Sequence, residues 1–203
     1  SEVLDIEPYT ENISLMAKRI DNWVKLRNKP NEEKKVALMI YDYPPGEDRF
    51  GNASYLDVFS SLKKITERMK NEGYDVGNLL DQIKTLEEKG KGIEDLYLAG
   101  GTINDPKHVS SKGFKGIKLK TPEIQIALES IPCELTEQIK MRWGDAPGDV
   151  MVDNTEVKLP LLRFGNTILG VQPARTQVVG DNDAYHDKAM PPHYQYALYY
   201  RYL

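Results

Sequence analysis

The stretch KVALMIYD, residues 35–42, decides the fold class. Its apolar run from Val36 to Tyr41 carries no charge, which is typical of a strand covered on both faces in a parallel sheet. We therefore predict a central parallel strand over residues 35–42. A strand of this kind needs helices on both sides, so the predicted fold is a three-layer α/β domain with a mainly parallel sheet flanked by helices.

One helix is predicted before this strand in the sequence and another after it. Upstream, apolar residues from Ile13 to Leu26 follow a 3.6-residue period and predict an amphipathic helix over about 10–27. Downstream, a loop with two prolines and two glycines leads into a periodic stretch from Leu56 to Met69, which Gly73 ends. Strand, glycine-bearing loop and helix make the first half of a βαβ unit.

Shorter elements are predicted in the rest of the chain. Helical periodicity marks four stretches, and a Gly-Asn turn within residues 158–171 predicts two strands. The glycine-rich stretch 99–121 predicts a long loop or a partly mobile segment. We divide the chain into an N-terminal helical segment, residues 1–33, and an α/β domain, residues 34–203. The four helical stretches are 79–86, 122–131, 135–143 and 193–203.

The composition excludes several classes of protein. The net charge of -4 offers no positive excess that would attract a phosphate backbone, so we expect no nucleic-acid partner. Apolar runs fall short of the ~20 residues that cross a bilayer, so we expect no membrane span and a cytoplasmic location. The single cysteine, Cys133, excludes an internal disulfide, and we predict that it is a small buried apolar residue.

The loop after the first predicted strand, residues 43–54, is one candidate site. Ligands of open α/β sheets bind beyond the carboxyl ends of the strands, where helix N-terminal amides favour anionic groups. The loop lacks the glycine patterns of dinucleotide and P-loop phosphate sites. Arg49 is its candidate for binding a ligand, and an ion pair between Arg49 and a nearby carboxylate is the structural alternative.

His186, Asp187 and His193 form a candidate metal site. Neutral imidazole and carboxylate both bind divalent cations. The two histidines stand seven residues apart across Pro191 and Pro192, so only a folded-back loop could bring them together. The alternative is that these residues shape a turn and cap a helix. The residue patterns alone therefore indicate an α/β domain without a defined chemistry.

A string of motifs in a fixed order indicates more than any single motif. Residues 35–76 combine the apolar strand, Tyr-Pro-Pro, an Arg-x-Gly-x-Ala loop and a closing Gly-Tyr-Asp-Val. The later motifs are LAGGTIN (98–104), RWGDAPGD (142–149), FGNTILGVQPAR (164–175), YHDKAMPPHY (185–194) and ALYYRYL (197–203). In this order they resemble the cobaltochelatase CobN and magnesium-chelatase H-subunit family, whereas residues 1–33 carry no matching motif.

The resemblance implies a part of a large subunit that binds a porphyrin or corrin and hosts insertion of a divalent metal, cobalt or magnesium. Cobalt is favoured. ATP is then used by separate AAA+ ATPase partner subunits. The family's Gly-[TK]-His-Gly-x-Leu-Glu signature would follow Leu203, so we expect a fragment truncated at its C-terminal end that inserts no metal by itself. Gln-Pro-Ala-Arg replaces the frequent Gln-Pro-Pro-Arg, which leaves the metal and the macrocycle open.

The resemblance also suggests roles for the candidate residues. A tetrapyrrole is a flat apolar ring with carboxylates at its rim, so its site needs cationic or amide groups around aromatic or aliphatic faces. Arg49, Gln172 and Arg175 are the substrate-binding candidates. Metal insertion needs a base for the pyrrole protons and ligands that strip water from the ion, for which His186, Asp187 and His193 are the candidates.

One alternative stays open, and the catalytic residue stays unassigned. The same loops could belong to a non-catalytic α/β ligand-binding or subunit-docking module. A docking module would leave the absorbance spectrum of an added porphyrin or corrin unchanged.

Overall fold

The computed structural model describes residues 9–41, 51–53, 55–93, 95–98, 116–145, 152–153, 156–173, 175, 187 and 189–203. The helices are α1 (Thr10–Asn28), α2 (Val58–Asn71), α3 (Leu79–Glu88), α4 (Asp95–Leu98), α5 (Thr121–Glu129), α6 (Cys133–Trp143) and α7 (Tyr194–Tyr202). The strands are β1 (Val36–Ile40), β2 (Asn52–Ala53), β3 (Leu56–Asp57), β4 (Ile117–Lys120), β5 (Val152–Asp153), β6 (Glu156–Leu159), β7 (Leu161–Phe164) and β8 (Thr167–Val171).

The first sheet has the strand order β1-β8-β7. β1 and β8 are parallel, from Val36 opposite Thr167 to Ile40 opposite Val171. β7 and β8 are antiparallel, which confirms the hairpin predicted within residues 158–171. Gly165 begins the two-residue turn with a φ of +57°, a conformation that glycine adopts without steric cost.

β8 is the central strand of this sheet, so the central position predicted for residues 35–42 is wrong in the part of the chain that the structure describes. β1 lies at the edge. Its burial alternates, with Ile40 buried but Ala37 and Met39 exposed. One face of β1 is therefore well covered by the rest of the protein, and the other face is poorly covered. The described residues form small mixed sheets with helices, and not the mainly parallel three-layer arrangement that we predicted.

A second sheet has the order β4-β6-β5, with both pairs antiparallel. β4 falls within residues 99–121, so the predicted loop is wrong for Ile117–Lys120. The strand is short and alternates, with Ile117 and Leu119 less exposed than the two lysines between and after them. Its partner β6 lies far along the sequence, and no local pattern indicates that pairing.

Local sequence signals explain where the helices begin and end. Asp57 caps α2, because its carboxylate accepts hydrogen bonds from the backbone N–H and the hydroxyl of Ser60 at 2.9 and 2.6 Å. Gly73, with a φ of +82°, ends this helix as predicted. The helices predicted near 10–27, 79–86, 122–131, 135–143 and 193–203 are confirmed by α1, α3, α5, α6 and α7.

Two hydrophobic clusters hold these elements together. The first core packs α2, α3 and α4 against one face of the first sheet, and the second core packs α5, α6 and α7 against the second sheet and β7. The first core consists of Ile40, Leu62, Leu79, Ile83, Ile93, Leu96, Phe164, Leu169 and Val171. The second core consists of Leu119, Ile124, Ile139, Val157, Leu159, Leu161, Tyr194, Leu198 and Tyr199.

Cys133 lies outside both cores. It is the first residue of α6 and is exposed, so the prediction of a buried cysteine is wrong. A residue in the first turn of a surface helix has few neighbours toward the helix start. Among the described residues, no helix combines the length and the apolar character needed to cross a bilayer.

Candidate functional site

The carboxyl ends of the parallel strands β1 and β8 lie side by side. Gln172 is the residue directly after β8. The backbone N–H of Gln172 donates to the carbonyl oxygen of Ile40 at 2.9 Å and so extends the ladder beyond β8. Its side-chain amide donates to the hydroxyl oxygen of Tyr196 on α7 at 3.1 Å. The substrate-binding candidate Gln172 therefore lies at the sheet edge where the α/β prediction expects a ligand.

Three tyrosines lie near Gln172, and one of them, Tyr196, contacts its side chain. Tyr41 directly follows β1 and is half exposed. Tyr196 and Tyr200 lie one helical turn apart on α7, with ring centroids 4.9 Å apart. We call Tyr41, Gln172, Tyr196 and Tyr200 the tyrosine edge.

The Tyr200 phenol of this edge is held in the neutral form. Partial burial, reinforced by the neighbouring Tyr196 and Tyr41, raises the pKa of Tyr200 to about 12. The Tyr200 hydroxyl keeps its proton at neutral pH, as an ordinary tyrosine does, and the raised pKa extends this neutral form to alkaline pH.

Helix α7 is seated closely against the first sheet by Tyr199. This buried phenol donates to the thioether sulfur of Met39 at 3.6 Å, and burial raises its pKa. A Cβ added at Gly170 of β8 would lie 2.4 Å from the Tyr199 hydroxyl oxygen. The missing side chain at Gly170 thus makes room for α7 and sets the position of the tyrosine edge.

Arg175 and His193 contact each other at the start of α7. The backbone N–H of His193 donates to the carbonyl oxygen of Arg175 at 2.9 Å. The Arg175 guanidinium donates to the carbonyl oxygen of Met190. Both contacts fix the segment before α7, and the predicted binding of a tetrapyrrole carboxylate by Arg175 stays a prediction.

His193 is buried and caps α7. Its Nδ1 accepts from the backbone N–H of Gln195 at 3.4 Å, and its ring packs edge-on against Trp143, with centroids 5.6 Å apart. The Trp143 indole donates to the carbonyl oxygen of Pro191 at 3.1 Å, and the Tyr194 hydroxyl donates to that of Gly144 at 2.9 Å. Three of the motifs singled out in the sequence, around residues 143, 175 and 193, therefore meet at one place.

Asp187 and His186 are the other two predicted metal ligands. Asp187 is exposed and shapes a turn, because its carboxylate accepts from the backbone N–H of Ala189 at 2.8 Å. Arg49 and His186 lie outside the described residues. Within the described ranges, no three His, Cys, Asp or Glu side chains group as a metal site. The metal roles of His186, Asp187 and His193 thus stay predictions.

Our sequence reasoning missed the tyrosine edge. The residue patterns gave the tyrosines near the C-terminus no role beyond a helix over residues 193–203. The spacing of Tyr196 and Tyr200 was the available signal, because residues four apart share a helix face. Tyr41 was included in the apolar run, and nothing local to it indicated a contact with α7.

Comparisons with known proteins agree with the motif order. The sequence model of the CobN/Magnesium Chelatase family matches residues 1–203. The chain is 36% identical to the magnesium-chelatase H-subunit of Chlorobaculum parvum over 200 residues, which cover 98% of this chain and 14% of that protein. It is 29% identical to the aerobic cobaltochelatase subunit CobN of Pseudomonas aeruginosa over 192 residues, which cover 94% of this chain and 15% of that protein.

A solved structure shares the fold. The catalytic subunit of cobaltochelatase from Mycobacterium tuberculosis superposes with a TM-score of 0.64 at 29% identity, covering 88% of this chain and 14% of that one. The chain thus spans only 14% to 15% of the length of these relatives. The family match nevertheless extends over every residue, and the chain belongs to the CobN/magnesium chelatase family.

Proposed function

We propose that this chain is part of the large tetrapyrrole-binding subunit of a metal chelatase that inserts a divalent metal into a corrin or porphyrin, with cobalt as the first candidate. Family membership supports the activity in general. The proposal includes ATP use by separate AAA+ partner subunits and a cytoplasmic location.

The tyrosine edge is the observation that carries the substrate class. Aromatic rings pack well against a flat apolar macrocycle. The Gln172 amide has two N–H groups, so besides the one that it gives to Tyr196 it can donate a hydrogen bond to a rim carboxylate. Arg49 and Arg175 are the proposed cationic groups of the same rim. A site that offers ring faces and donors fits a carboxylated tetrapyrrole better than a purely apolar ligand.

Metal insertion requires that two pyrrole protons leave and that the ion lose water. The Tyr200 phenol is protonated at neutral pH and so offers no phenolate to take up those protons, and we assign Tyr200 to binding and not to proton transfer. His186, Asp187 and His193 are the proposed groups for metal delivery and proton transfer. Of these, Asp187 has an exposed carboxylate and His193 is buried, so Asp187 is the more accessible to a hydrated ion.

A pigment titration tests the proposal. A metal-free carboxylated porphyrin and a metal-free corrin are each titrated with the purified chain, and the absorbance spectrum is recorded. We expect a saturable spectral shift with at least one pigment. Tyr200→Ala should weaken binding about tenfold, because a lost ring contact contributes about 1.4 kcal/mol.

Tyr9→Ala is the matched control, since Tyr9 is an exposed tyrosine before α1 and outside the tyrosine edge. It should leave the affinity unchanged. Spectra that do not change at any protein concentration would favour the docking module over the tetrapyrrole site. Equal losses in both variants would contradict the position of the site.

A further inference from the structure

Met39 of β1 is exposed beside the tyrosine edge. Side chains two residues apart on a strand share a face, so Met39 and Tyr41 lie on the same side of β1. Both are partly open, with 38% and 51% of their surface exposed. The opposite side, with Leu38 and Ile40, packs into the first core. The exposed side of β1 therefore adds a thioether to the aromatic rings of the tyrosine edge.

Two contacts hold the Met39 side chain in place. The buried Tyr199 hydroxyl donates to its sulfur at 3.6 Å. Met39 lies opposite Gly170 in the sheet, and its terminal methyl group is 3.0 Å from the position that a Cβ of Gly170 would take. A methionine side chain has three rotatable bonds and adapts its shape readily. Because a hydrogen bond directs this sulfur, the exposed part of Met39 is preorganised for a ligand.

The ring of Tyr200 brings α7 to the same surface. The rings of Tyr199 and Tyr200 meet edge-on, with centroids 5.4 Å apart. Tyr199 contacts Met39 from the buried side, whereas Tyr200 is 46% exposed. Tyr41 lies close enough to Tyr200 to contribute to the raised pKa of that phenol. Met39, Tyr41 and Tyr200 therefore border one another and form one partly exposed surface, which we call the methionine face.

The chemistry of the methionine face fits the flat side of a conjugated ring. A thioether sulfur makes favourable contacts with aromatic systems, and phenol rings pack against them in offset or edge-on arrangements. A thioether donates no hydrogen bond, so Met39 offers nothing to the rim carboxylates of a tetrapyrrole. The apolar ring of the macrocycle, and not its rim, is the part that matches this side chain.

We propose that Met39 is a substrate-contacting residue and that one side of the bound tetrapyrrole ring lies against its thioether, beside the rings of Tyr41 and Tyr200. The inference rests on the proposed tetrapyrrole-binding function and adds a residue of β1 to a site carried mainly by α7.

Oxidation of methionine measures whether a bound pigment covers Met39. Hydrogen peroxide adds one oxygen atom to an accessible thioether, and mass spectrometry locates the sulfoxide. The purified chain is treated in the dark with and without a saturating metal-free carboxylated porphyrin or corrin. We expect the bound pigment to slow oxidation of Met39 at least about fivefold. Met141 on α6, which is 87% exposed and lies outside the methionine face, is the internal control and should oxidise at an unchanged rate.

Substitutions of the same two methionines provide the matched variants. Met39→Glu places a carboxylate against the ring and should weaken pigment binding at least about tenfold, because that charge loses water when the pigment binds. Met141→Glu makes the same change on α6 and should leave the affinity unchanged. Met39→Leu keeps the apolar volume without the sulfur and should weaken binding about two- to fivefold. Circular dichroism checks that each variant retains the fold.

Three outcomes would overturn the proposal. The first is equal oxidation of Met39 with and without a pigment that the parent chain binds and that Tyr200→Ala binds more weakly, in which case the proposed function stands without Met39. The second is a parent chain that shifts no pigment spectrum, which would remove the proposed function as well. The third is protection of Met39 in the pigment-free full-length subunit, since another segment of that subunit would then cover it.

Discussion

The two cores differ in what they require of their residues. The first core is built from aliphatic side chains and one phenylalanine. The second core includes Tyr194 and Tyr199 and lies beside the buried polar side chains of His193 and Gln195. Aliphatic packing needs the right volume, whereas each buried polar group also needs a partner in a defined direction. The second core therefore does more than stabilise the fold: it fixes the orientation of α7 and of the tyrosine edge.

Removal of a buried leucine from either core should give the largest loss of stability. Leu79→Ala in the first core and Leu198→Ala in the second should each lower the free energy of unfolding by roughly 2–5 kcal/mol, since both residues are fully buried. Urea unfolding followed by circular dichroism measures the loss. The exposed Leu26→Ala is the control and should cost little. Separate transitions in the two variants would show that the cores unfold independently.

Gly170 lies where α7 packs against the first sheet, and filling its space should have the next largest effect. A Cβ at this position would lie 2.7 Å from a methyl group of Leu161 and closer still to the Tyr199 hydroxyl. Gly170→Ala should therefore cost about 1–3 kcal/mol. Combination with Tyr199→Phe removes the nearest atom and should recover part of that loss. Strict additivity of the two substitutions in denaturant unfolding would contradict the proposed clash.

The buried polar groups of the two cores should also respond differently. Gln195→Leu removes the hydrogen bond of 2.7 Å to the Lys158 carbonyl oxygen and should cost about 1–3 kcal/mol, because that carbonyl loses a partner. Thr66→Val removes a bond to Leu62 within α2, whose carbonyl keeps its helical bond. Thr66→Val should therefore lower the free energy of unfolding by less than Gln195→Leu does. Equal costs in thermal unfolding would remove the distinction between the cores.

The positions of the helices could be predicted from the sequence, whereas the pairing of the strands could not. Periodicity and local signals such as Asp57 and Gly73 determine where a helix lies, because they act within a few residues. Strand order depends on distant pairings, so the apolar run of β1 predicted a strand but not its place at the edge. β4, with only four residues, gave too short an alternation to be distinguished from the loop around it.

The candidate site was predictable to a similar degree. Gln172, Arg175 and His193 were singled out by their motifs, and the alternative of a helix-capping histidine agrees with the observed contact of His193. The convergence of Trp143 on that histidine could not be predicted, since it depends on how α6 and α7 cross. Arg49 and His186 lie outside the described residues.

Alkaline pH should weaken α7 before the first core. The Tyr200 pKa is raised from 10.0 to about 12, so the folded state favours the neutral phenol. Its contribution to stability is complete below pH 10 and is lost as the pH rises toward 12. Between pH 10 and 12, Tyr200→Phe should therefore lose less of its free energy of unfolding than the parent chain does, as measured by denaturant titrations at fixed pH. Tyr9→Phe, which alters a tyrosine outside the tyrosine edge, should behave as the parent chain does.

The smallest expected effect concerns the exposed Cys133 of α6. The carboxylate of Glu137, one turn away, raises the thiol pKa and so reduces the thiolate fraction. Glu137→Gln should accelerate labelling by an aromatic disulfide at pH 8 by a few-fold. Glu134→Gln alters a neighbouring carboxylate that does not contribute to this shift. An unchanged labelling rate in Glu137→Gln would show that the contact does not persist in solution.

The parallel pairing of β1 with β8 has a consequence for biosynthesis. The two strands stand about 130 residues apart, so a ribosome must complete most of the chain before β1 finds its neighbour. Until then the apolar run of β1 has its hydrogen-bonding edges open, which is the condition under which nascent chains pair wrongly. Translation speed and chaperone supply should therefore affect the yield of folded protein more strongly than they do for a domain built from neighbouring hairpins.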